Sequence, residues 1–248
     1  MMDPIRFSRL KALALSPAHY KYGLTAPDEP SRAMRIGTAV HAAVLGDNPA
    51  LDVFPGPTRR GKEWEVYKAA HAGQTILARD EADEVVATAA AVEANPAALK
   101  LLKQPHREER IAWKWLGLDC AGTPDAWDGT TVVDLKTART AQPERFGKEV
   151  FWRYYHAQLA WYCNGLELSG RAKPERAYIV AVETAPPYPV VIYEITETAL
   201  AQGFARCREW MERLKGCIEN DYWPGYSDAV VPIEGITEMP DLTFAETD

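Results

Sequence analysis

The dipeptide Asp128-Gly129 constrains the fold more than any other feature of the sequence. It separates residues 119–127 from residues 130–137, and both segments have the composition of β-strands. A type I′ turn needs positive φ at both central positions, which Asp-Gly dipeptides favour. The sequence therefore predicts a β-hairpin with a two-residue loop, and residues 110–116 predict a third strand ahead of it.

Helical patterns surround this meander of strands. The alanine-rich residues 62–102 predict two helices interrupted at Asn95-Pro96. The other predicted elements are a short helix and turn within 8–22, a helix over 31–45 that ends at Gly46, a loop over 47–62, a helix over 149–166, strands over 176–184 and 189–195, and a helix over 197–219. This order indicates an α/β (α+β) domain with a central mixed sheet flanked by helices.

The chain length fits one sizeable core. We expect a single domain over residues 1–218, with a helical part at 1–105 and a sheet core at 106–218, followed by an acidic tail at 219–248. The tail holds eight of the 35 acidic side chains and none of the 28 basic ones, so residues 1–218 have 28 basic and 27 acidic groups. The overall charge of −7 is therefore compatible with DNA binding at local basic patches such as Arg59, Arg60 and Lys62.

Two further classes of protein are disfavoured by the sequence. No stretch approaches the roughly 20 apolar residues of a membrane span, and the first residues lack the pattern of a secretory signal, so we expect a cytoplasmic protein without a membrane partner. The four cysteines, at 120, 163, 207 and 217, contain no CxxC pair. That spacing disfavours both a zinc knuckle and a dense disulfide framework.

The predicted hairpin sorts its side chains onto two faces. With a two-residue loop, Trp127 pairs with Thr130 and Asp125 lies opposite Val132. Because side chains alternate along a strand, three charged groups then share one face. These are Asp125, Asp134 and Lys136, while Val133 and Leu135 on the other face can pack into a core.

Two carboxylates at this separation suit a hard divalent cation such as Mg²⁺ or Mn²⁺. An ammonium group two residues further along the strand can orient and activate a water molecule that attacks a phosphodiester. Asp125, Asp134 and Lys136 are therefore candidate catalytic residues. The alternative is a solvated hairpin face with one Asp–Lys ion pair.

Five spaced motifs within about residues 5–200 carry a family resemblance. The strings Gly122-Thr-Pro-Asp125 and Val132-Val-Asp134-Leu-Lys136-Thr137 resemble the two halves of the PD-(D/E)xK motif. The strings Gly37-Thr-Ala-Val-His41 and Gln158-Leu-Ala-Trp-Tyr162 resemble the histidine and Gln-xxx-Tyr motifs of RecB-type nucleases. Together with the segments 8–12 and 16–20, the pattern is similar to the exonuclease VIII (RecE-like) branch found in phages and prophages.

This resemblance implies a restriction-endonuclease-like core and a set of site residues. His41, Asp125, Asp134 and the Leu135 carbonyl would hold one or two Mg²⁺ ions that polarise the scissile phosphate and lower the pKa of a bound water. Lys136 would position or deprotonate that water.

The resemblance also implies that Gln158 and Tyr162 contact a DNA phosphate or brace the site. Arg139 is a candidate DNA contact. Many members of the superfamily add an acidic residue before the PD strand, here Glu108 or Glu109. A Gly117-Leu118 turn puts Glu108 on the face of Asp125, a one-residue slip exchanges the two, and the resemblance favours Glu109.

The substrate and partners come from the resemblance alone. It implies degradation of linear double-stranded DNA from its ends, 5′ to 3′, which leaves 3′ single-stranded tails for recombination. It also implies a homo-oligomeric ring and a single-strand annealing protein as partner.

Each assignment has an alternative. His41 could be a hydrogen-bonded core histidine, and Gln158 and Tyr162 could be surface or packing residues. The domain could also be a catalytically silent module that binds DNA ends. The iron–sulfur branch of the same nucleases needs a cysteine upstream of the core, whereas the first cysteine here is Cys120.

Overall fold

A computed structural model describes residues 3–26, 30–46 and 51–233 of the chain. Its strands are β1 (Leu51–Val53), β2 (Thr75–Leu77), β3 (His106–Arg107), β4 (Ile111–Trp115), β5 (Leu118–Gly122), β6 (Ala126–Trp127), β7 (Thr131–Ala138), β8 (Arg176–Glu183) and β9 (Val190–Ile195). Its helices are α1 (Phe7–Leu10), α2 (Pro17–Gly23), α3 (Arg32–Leu45), α4 (Gly61–Ala70), α5 (Arg79–Glu93), α6 (Pro96–Leu102), α7 (Pro143–Trp152), α8 (Tyr155–Leu168) and α9 (Glu197–Asn220), with a short 3-10 helix over Lys11–Ala14.

The central sheet has five strands in the order β3-β6-β7-β8-β9. Strands β7 and β8 run parallel, and the other neighbouring pairs are antiparallel. Two small sheets, β1-β2 and β4-β5, accompany it. The predicted fold class, a mixed sheet flanked by helices, is confirmed.

Both faces of the central sheet are buried. Val132 faces a core formed with α1, α8 and α9, whereas Val133 and Leu135 face a second core formed with α3, α5 and α6. This division follows from the alternation of side chains along β7. Helices α7 and α8 therefore lie on one side of the sheet, and α3 and α6 lie on the other.

The predicted two-residue hairpin loop is wrong. Trp127 pairs with Val132 and Ala126 pairs with Val133, so four residues, 128–131, lie between the last paired residues of β6 and β7. The Asp128 carboxylate accepts hydrogen bonds from the backbone N–H groups of Thr130 (2.9 Å) and Thr131 (2.8 Å). This side-chain cap stabilises a wider loop than the tight turn.

Other predicted elements differ from the structure in where a strand or a helix is interrupted. The segment 119–127 is two strands, because Pro124 has no N–H to donate to a continuous ladder. The predicted helix over 149–166 is α7 and α8, separated at Tyr154 (φ 62°). Strand β1 lies in the predicted loop over 47–62, and β2 lies in the predicted helical residues 62–102. The sequence does not predict these three-residue strands, because they depend on pairing with each other.

Helix α3, which carries His41, has the predicted bounds. The Ser31 hydroxyl accepts a hydrogen bond from the backbone N–H of Met34, and Gly46 ends the helix in the left-handed conformation (φ 80°). The last predicted helix matches α9. Of the acidic tail, residues 234–248 lie outside the described residues.

Among the described residues, no single helix is long and apolar enough to cross a bilayer. The bent pair α5 and α6, with an angle of 96° between them, has the length and composition of a span. Its buried residues, among them Val85, Val92 and Leu102, pack against α3 and the sheet.

A buried ion-pair cluster joins α3, α5 and the segment before α4. Glu81, 3% exposed, lies 2.6 Å from Arg35 and 2.9 Å from Arg59, and it accepts a hydrogen bond from the Ala78 N–H. Burial raises the pKa of Glu81, but Arg35 and the Ala78 N–H outweigh it and bring the pKa below the usual 4.5.

We expect Glu81→Ala to lower the free energy of unfolding by about 3 kcal/mol at pH 7, since it leaves two guanidinium groups without their anion. Because the folded-state pKa of Glu81 is depressed, its contribution is complete above about pH 4.5 and is lost as the pH falls through the folded value. Urea unfolding at pH 7 and at lower pH measures this. Asp83→Ala, an exposed position on the same helix, is the control, and an equal effect of both variants would contradict the assignment.

Candidate active site

Strand β7 supplies an acid–base pair. Lys136 Nζ lies 2.5 Å from Asp134 Oδ2, and the two side chains are 16% and 2% exposed. Lys136 pairs with Oδ2, whereas the buried Asp134 Oδ1 has no hydrogen-bond partner among the described residues. The β7 pair is therefore tightly enclosed but incompletely satisfied.

Asp125 precedes β6 and joins this pair. Continued by one residue, the register of β6 and β7 puts Asp125 opposite Asp134. Asp125 Oδ2 accepts a hydrogen bond from the Leu135 N–H at 2.6 Å. Because the N–H and C=O groups of one strand residue point towards the same neighbour, the Leu135 carbonyl also faces this edge.

His41 reaches the same edge from α3. Its Nδ1 lies 3.5 Å from Asp125 Oδ2 and 3.9 Å from Glu108 Oε1. Gly37, one turn earlier, lets α3 approach β7, since a Cβ there would lie 3.3 Å from Thr137 Oγ1. Potential ligand atoms of His41, Glu108 and Asp125 all lie within 4.8 Å of one another.

The structure brings Glu108, not the favoured Glu109, to this cluster. Glu108 has a φ of 49° and donates its backbone N–H to the Asp125 carbonyl. Glu109 instead contacts His106 Nδ1 at 2.7 Å and Arg171 at 2.9 Å. The register of β3 and β6, continued by one residue, puts Glu108 opposite Asp125, as the strand register predicted and as the resemblance did not.

Helix α8 closes the other side of the site. Gln158 Nε2 donates a hydrogen bond to the buried Tyr162 hydroxyl at 2.9 Å. Burial, and then the charges of Asp134 and Asp125, raise the pKa of Tyr162 well above its usual value. The Tyr162 ring fits against Gly122, where a Cβ would lie 3.0 Å from it. Tyr162 is buried and Gln158 is half-buried.

Tyr155, which was not among the predicted site residues, lies beside Lys136. Lys136 Nζ lies 5.0 Å from the centre of its ring, within the range of a cation–π contact. Tyr155, Gln158 and Tyr162 have i, i+3, i+7 spacing and so share one face of α8. That spacing, extended one turn back from the Gln-xxx-Tyr motif, is the signal that identifies Tyr155.

Residues 6–233 match the family model described as a PDDEXK-like domain of unknown function (DUF3799). The chain belongs to this family. The recognised PD-(D/E)xK superfamily is thereby confirmed, and the Asp125 and Asp134-Leu135-Lys136 arrangement lies within the matched region.

One solved structure has the same fold as this PDDEXK-like domain. It is described as that of a "Putative exonuclease" from Eubacterium rectale; it is 15% identical, with a TM-score of 0.64 over 98% of this chain and 94% of that chain. A second structure, SSO0001, is also 15% identical over 83% of this chain and 85% of that chain, but its TM-score of 0.29 does not indicate a shared fold. No curated protein matches the sequence significantly.

Burial and neighbouring charges shift the pKa values of the ionisable groups in the PDDEXK-like site. Burial lowers the pKa of His41, but Asp125 and Glu108 outweigh it and raise that pKa to about 10. Burial, only partly offset by Lys136, raises the pKa of Asp134 to about 6. Burial also lowers the pKa of Lys136, but Asp134 and Asp125 together bring it above its usual value.

The donor set fits a divalent cation. Carboxylates, an imidazole and a carbonyl are ligands of Mg²⁺ or Mn²⁺, and Asp134 has a buried Oδ1 without a hydrogen-bond partner among the described residues. Buried polar atoms in this state are costly unless another group satisfies them. Asp125, Asp134, Glu108, His41 and the Leu135 carbonyl are the groups that could hold the ion.

Arg139 stands apart from the cluster. It follows the end of β7 and its side chain is exposed. Its predicted DNA contact stays a prediction.

Proposed function

We propose that this protein is a metal-dependent exodeoxyribonuclease that hydrolyses phosphodiester bonds at the ends of linear double-stranded DNA. One observation carries the proposal. One charged cluster is formed by side chains from five parts of the fold: α3, the turn after β3, the segment before β6, strand β7 and helix α8. A purely structural cluster has no need of a buried Asp134 Oδ1 that lacks a hydrogen bond.

The proposed roles follow from the chemistry of each group. Glu108, Asp125, Asp134, the Leu135 carbonyl and His41, after release of its imidazolium proton, would hold Mg²⁺ or Mn²⁺, which would supply a Lewis acid for the phosphate and lower the pKa of a water molecule. Gln158 and the protonated Tyr162 hydroxyl are hydrogen-bond donors beside the carboxylates, where they can brace the site or contact a phosphate oxygen.

Lys136 acts as a positively charged group in this scheme. Its raised pKa, caused by Asp134 and Asp125 against the effect of burial, keeps the ammonium protonated at neutral pH. A protonated lysine can orient the attacking water and stabilise negative charge on the phosphate, but it cannot accept a proton. We therefore favour the positioning role over the role of general base.

The resemblance to the exonuclease VIII (RecE-like) branch supports a more specific assignment of the direction of cleavage, the product and the partners. We propose 5′ to 3′ degradation that leaves 3′ single-stranded tails for recombination, a homo-oligomer that encloses its substrate, and a single-strand annealing protein as partner. The competing hypothesis is a catalytically silent module that binds DNA ends.

Cleavage of linear and closed DNA in one tube tests the proposal. With Mg²⁺ or Mn²⁺, we expect linear duplexes to disappear while relaxed closed circles of the same sequence persist, because a closed circle has no terminus. Gels of duplexes labelled at the 5′ or the 3′ end then report the polarity through the order of label release. Equal cutting of circles would contradict the exonuclease assignment, and the absence of cleavage with every metal would favour the silent module.

A further inference from the structure

Helix α7 carries an outward face that the described residues leave uncovered. Arg145, Lys148 and Trp152 have i, i+3, i+7 spacing and so lie on one side of the helix. All three are exposed, and Trp152 is 80% exposed. Phe146 and Val150, on the opposite side, are buried in the core. We call Arg145, Lys148 and Trp152 the α7 stripe.

The α7 stripe keeps its charges free. Among the described residues, neither Arg145 nor Lys148 forms an ion pair, and Trp152 has no ring contact. The nearby Glu149 is already paired with Arg153, at 2.5 Å. Two unpaired cations beside an exposed indole form a surface complementary to an anion that also has a flat apolar part.

The stripe ends close in the chain to the candidate active site. Trp152 is the last residue of α7, and Tyr155, the first residue of α8, has its ring against Lys136. Trp152 is therefore the stripe residue nearest in sequence to the candidate site.

We propose that the α7 stripe binds an unpaired DNA strand, with phosphates at Arg145 and Lys148 and a base stacked on Trp152. The inference rests on the proposed function, because it takes DNA as the substrate. Aromatic side chains beside cations are the usual means of holding single strands, since every unpaired base has an exposed π-face. A paired base inside a duplex offers no such face.

Binding without cleavage tests the stripe. Fluorescence anisotropy with a labelled oligothymidylate, in EDTA, measures affinity while divalent cations are absent. We expect Trp152→Ala to weaken binding by about five- to a hundredfold and Trp152→Phe to restore most of it. Arg145→Ala and Lys148→Ala should each reduce the slope of log K against log salt by about 0.7. Lys100→Ala, an exposed position on α6 across the sheet, is the matched control and should bind as the wild type.

The outcomes separate this inference from the proposed function. Wild-type affinity and an unchanged salt slope in all stripe variants would overturn the stripe, even if the protein cleaves DNA. An equal loss of affinity for a blunt duplex would overturn the assignment to an unpaired strand. A change of oligomeric state in Trp152→Ala, measured by sedimentation, with unchanged DNA affinity would identify a second copy of the chain as the occupant instead. Stripe-dependent binding by a protein that cleaves nothing would support the stripe and contradict the nuclease.

Discussion

Asp134→Asn and Lys136→Met are each expected to reduce DNA cleavage by at least about 10²- to 10⁴-fold, the range for loss of a group that acts on the reacting atoms. Asp134→Asn removes a charged ligand and should also weaken metal binding. Lys136→Met keeps the carboxylates and should still bind metal. Cleavage assays beside calorimetric metal titration distinguish the two roles.

The same variants should remain folded, although Asp134 is buried and Lys136 is half-buried. Burial already penalises the ionised Asp134, as its pKa of about 6 indicates, so an uncharged amide of the same shape should fold at least as stably at pH 7 without metal. Thermal unfolding measures this. Asp119→Asn, on an exposed carboxylate of β5, is the control for activity and stability. Wild-type turnover by Asp134→Asn or Lys136→Met would refute the assignment.

The hairpin shows why a face can be predicted when a loop cannot. The loop holds four residues rather than two, so Asp125 moves from opposite Val132 to opposite Asp134. Because side chains alternate with a period of two, a slip of two residues leaves every side chain on its predicted face. The shared face of Asp125, Asp134 and Lys136 depended only on this parity.

The choice between Glu108 and Glu109 depends on the same parity. The predicted Gly117-Leu118 turn puts Glu108 on the face of Asp125, and only a slip of one residue would exchange the two glutamates. In the structure the register of β3 and β6, continued by one residue, puts Glu108 opposite Asp125, and the Glu108 N–H donates to the Asp125 carbonyl. Strand register therefore identifies Glu108, whereas the resemblance favoured Glu109.

Helical spacing also predicts a shared face. Gln158 and Tyr162 share a face at any position within a helix, because the spacing of four residues is nearly one turn. The same spacing puts Tyr155 on that face whether the helix begins at 149 or at Tyr155. The contact of Tyr155 with Lys136 is a tertiary feature that the spacing does not contain, as are the left-handed Tyr154 and the pairing of β1 with β2.

The proposed metal ligands Glu108 and His41, which lie outside β7, give the remaining prediction. Glu108→Gln and His41→Ala should each weaken apparent metal affinity by about 10- to 100-fold, as expected for groups that complete or orient a coordination sphere. Their cleavage rates should therefore fall steeply at limiting Mg²⁺ and recover in part at excess Mn²⁺. Glu109→Gln, matched in chemistry and adjacent in sequence, should keep the wild-type metal dependence, because Glu109 contacts His106 and Arg171 instead.

A titration of cleavage rate against Mg²⁺ and Mn²⁺ for these three variants separates ligand from structural roles. If His41→Ala unfolds at a much lower temperature yet keeps full activity at every metal concentration, His41 is a core histidine and the cluster lacks its imidazole ligand. If Glu109→Gln shifts the metal dependence and Glu108→Gln does not, the acidic ligand comes from the residue that the resemblance favoured, and the turn after β3 must rearrange when metal binds. A shift confined to Glu108→Gln and His41→Ala would support one cation held among His41, Glu108 and Asp125, whose ligand atoms lie within 4.8 Å of one another.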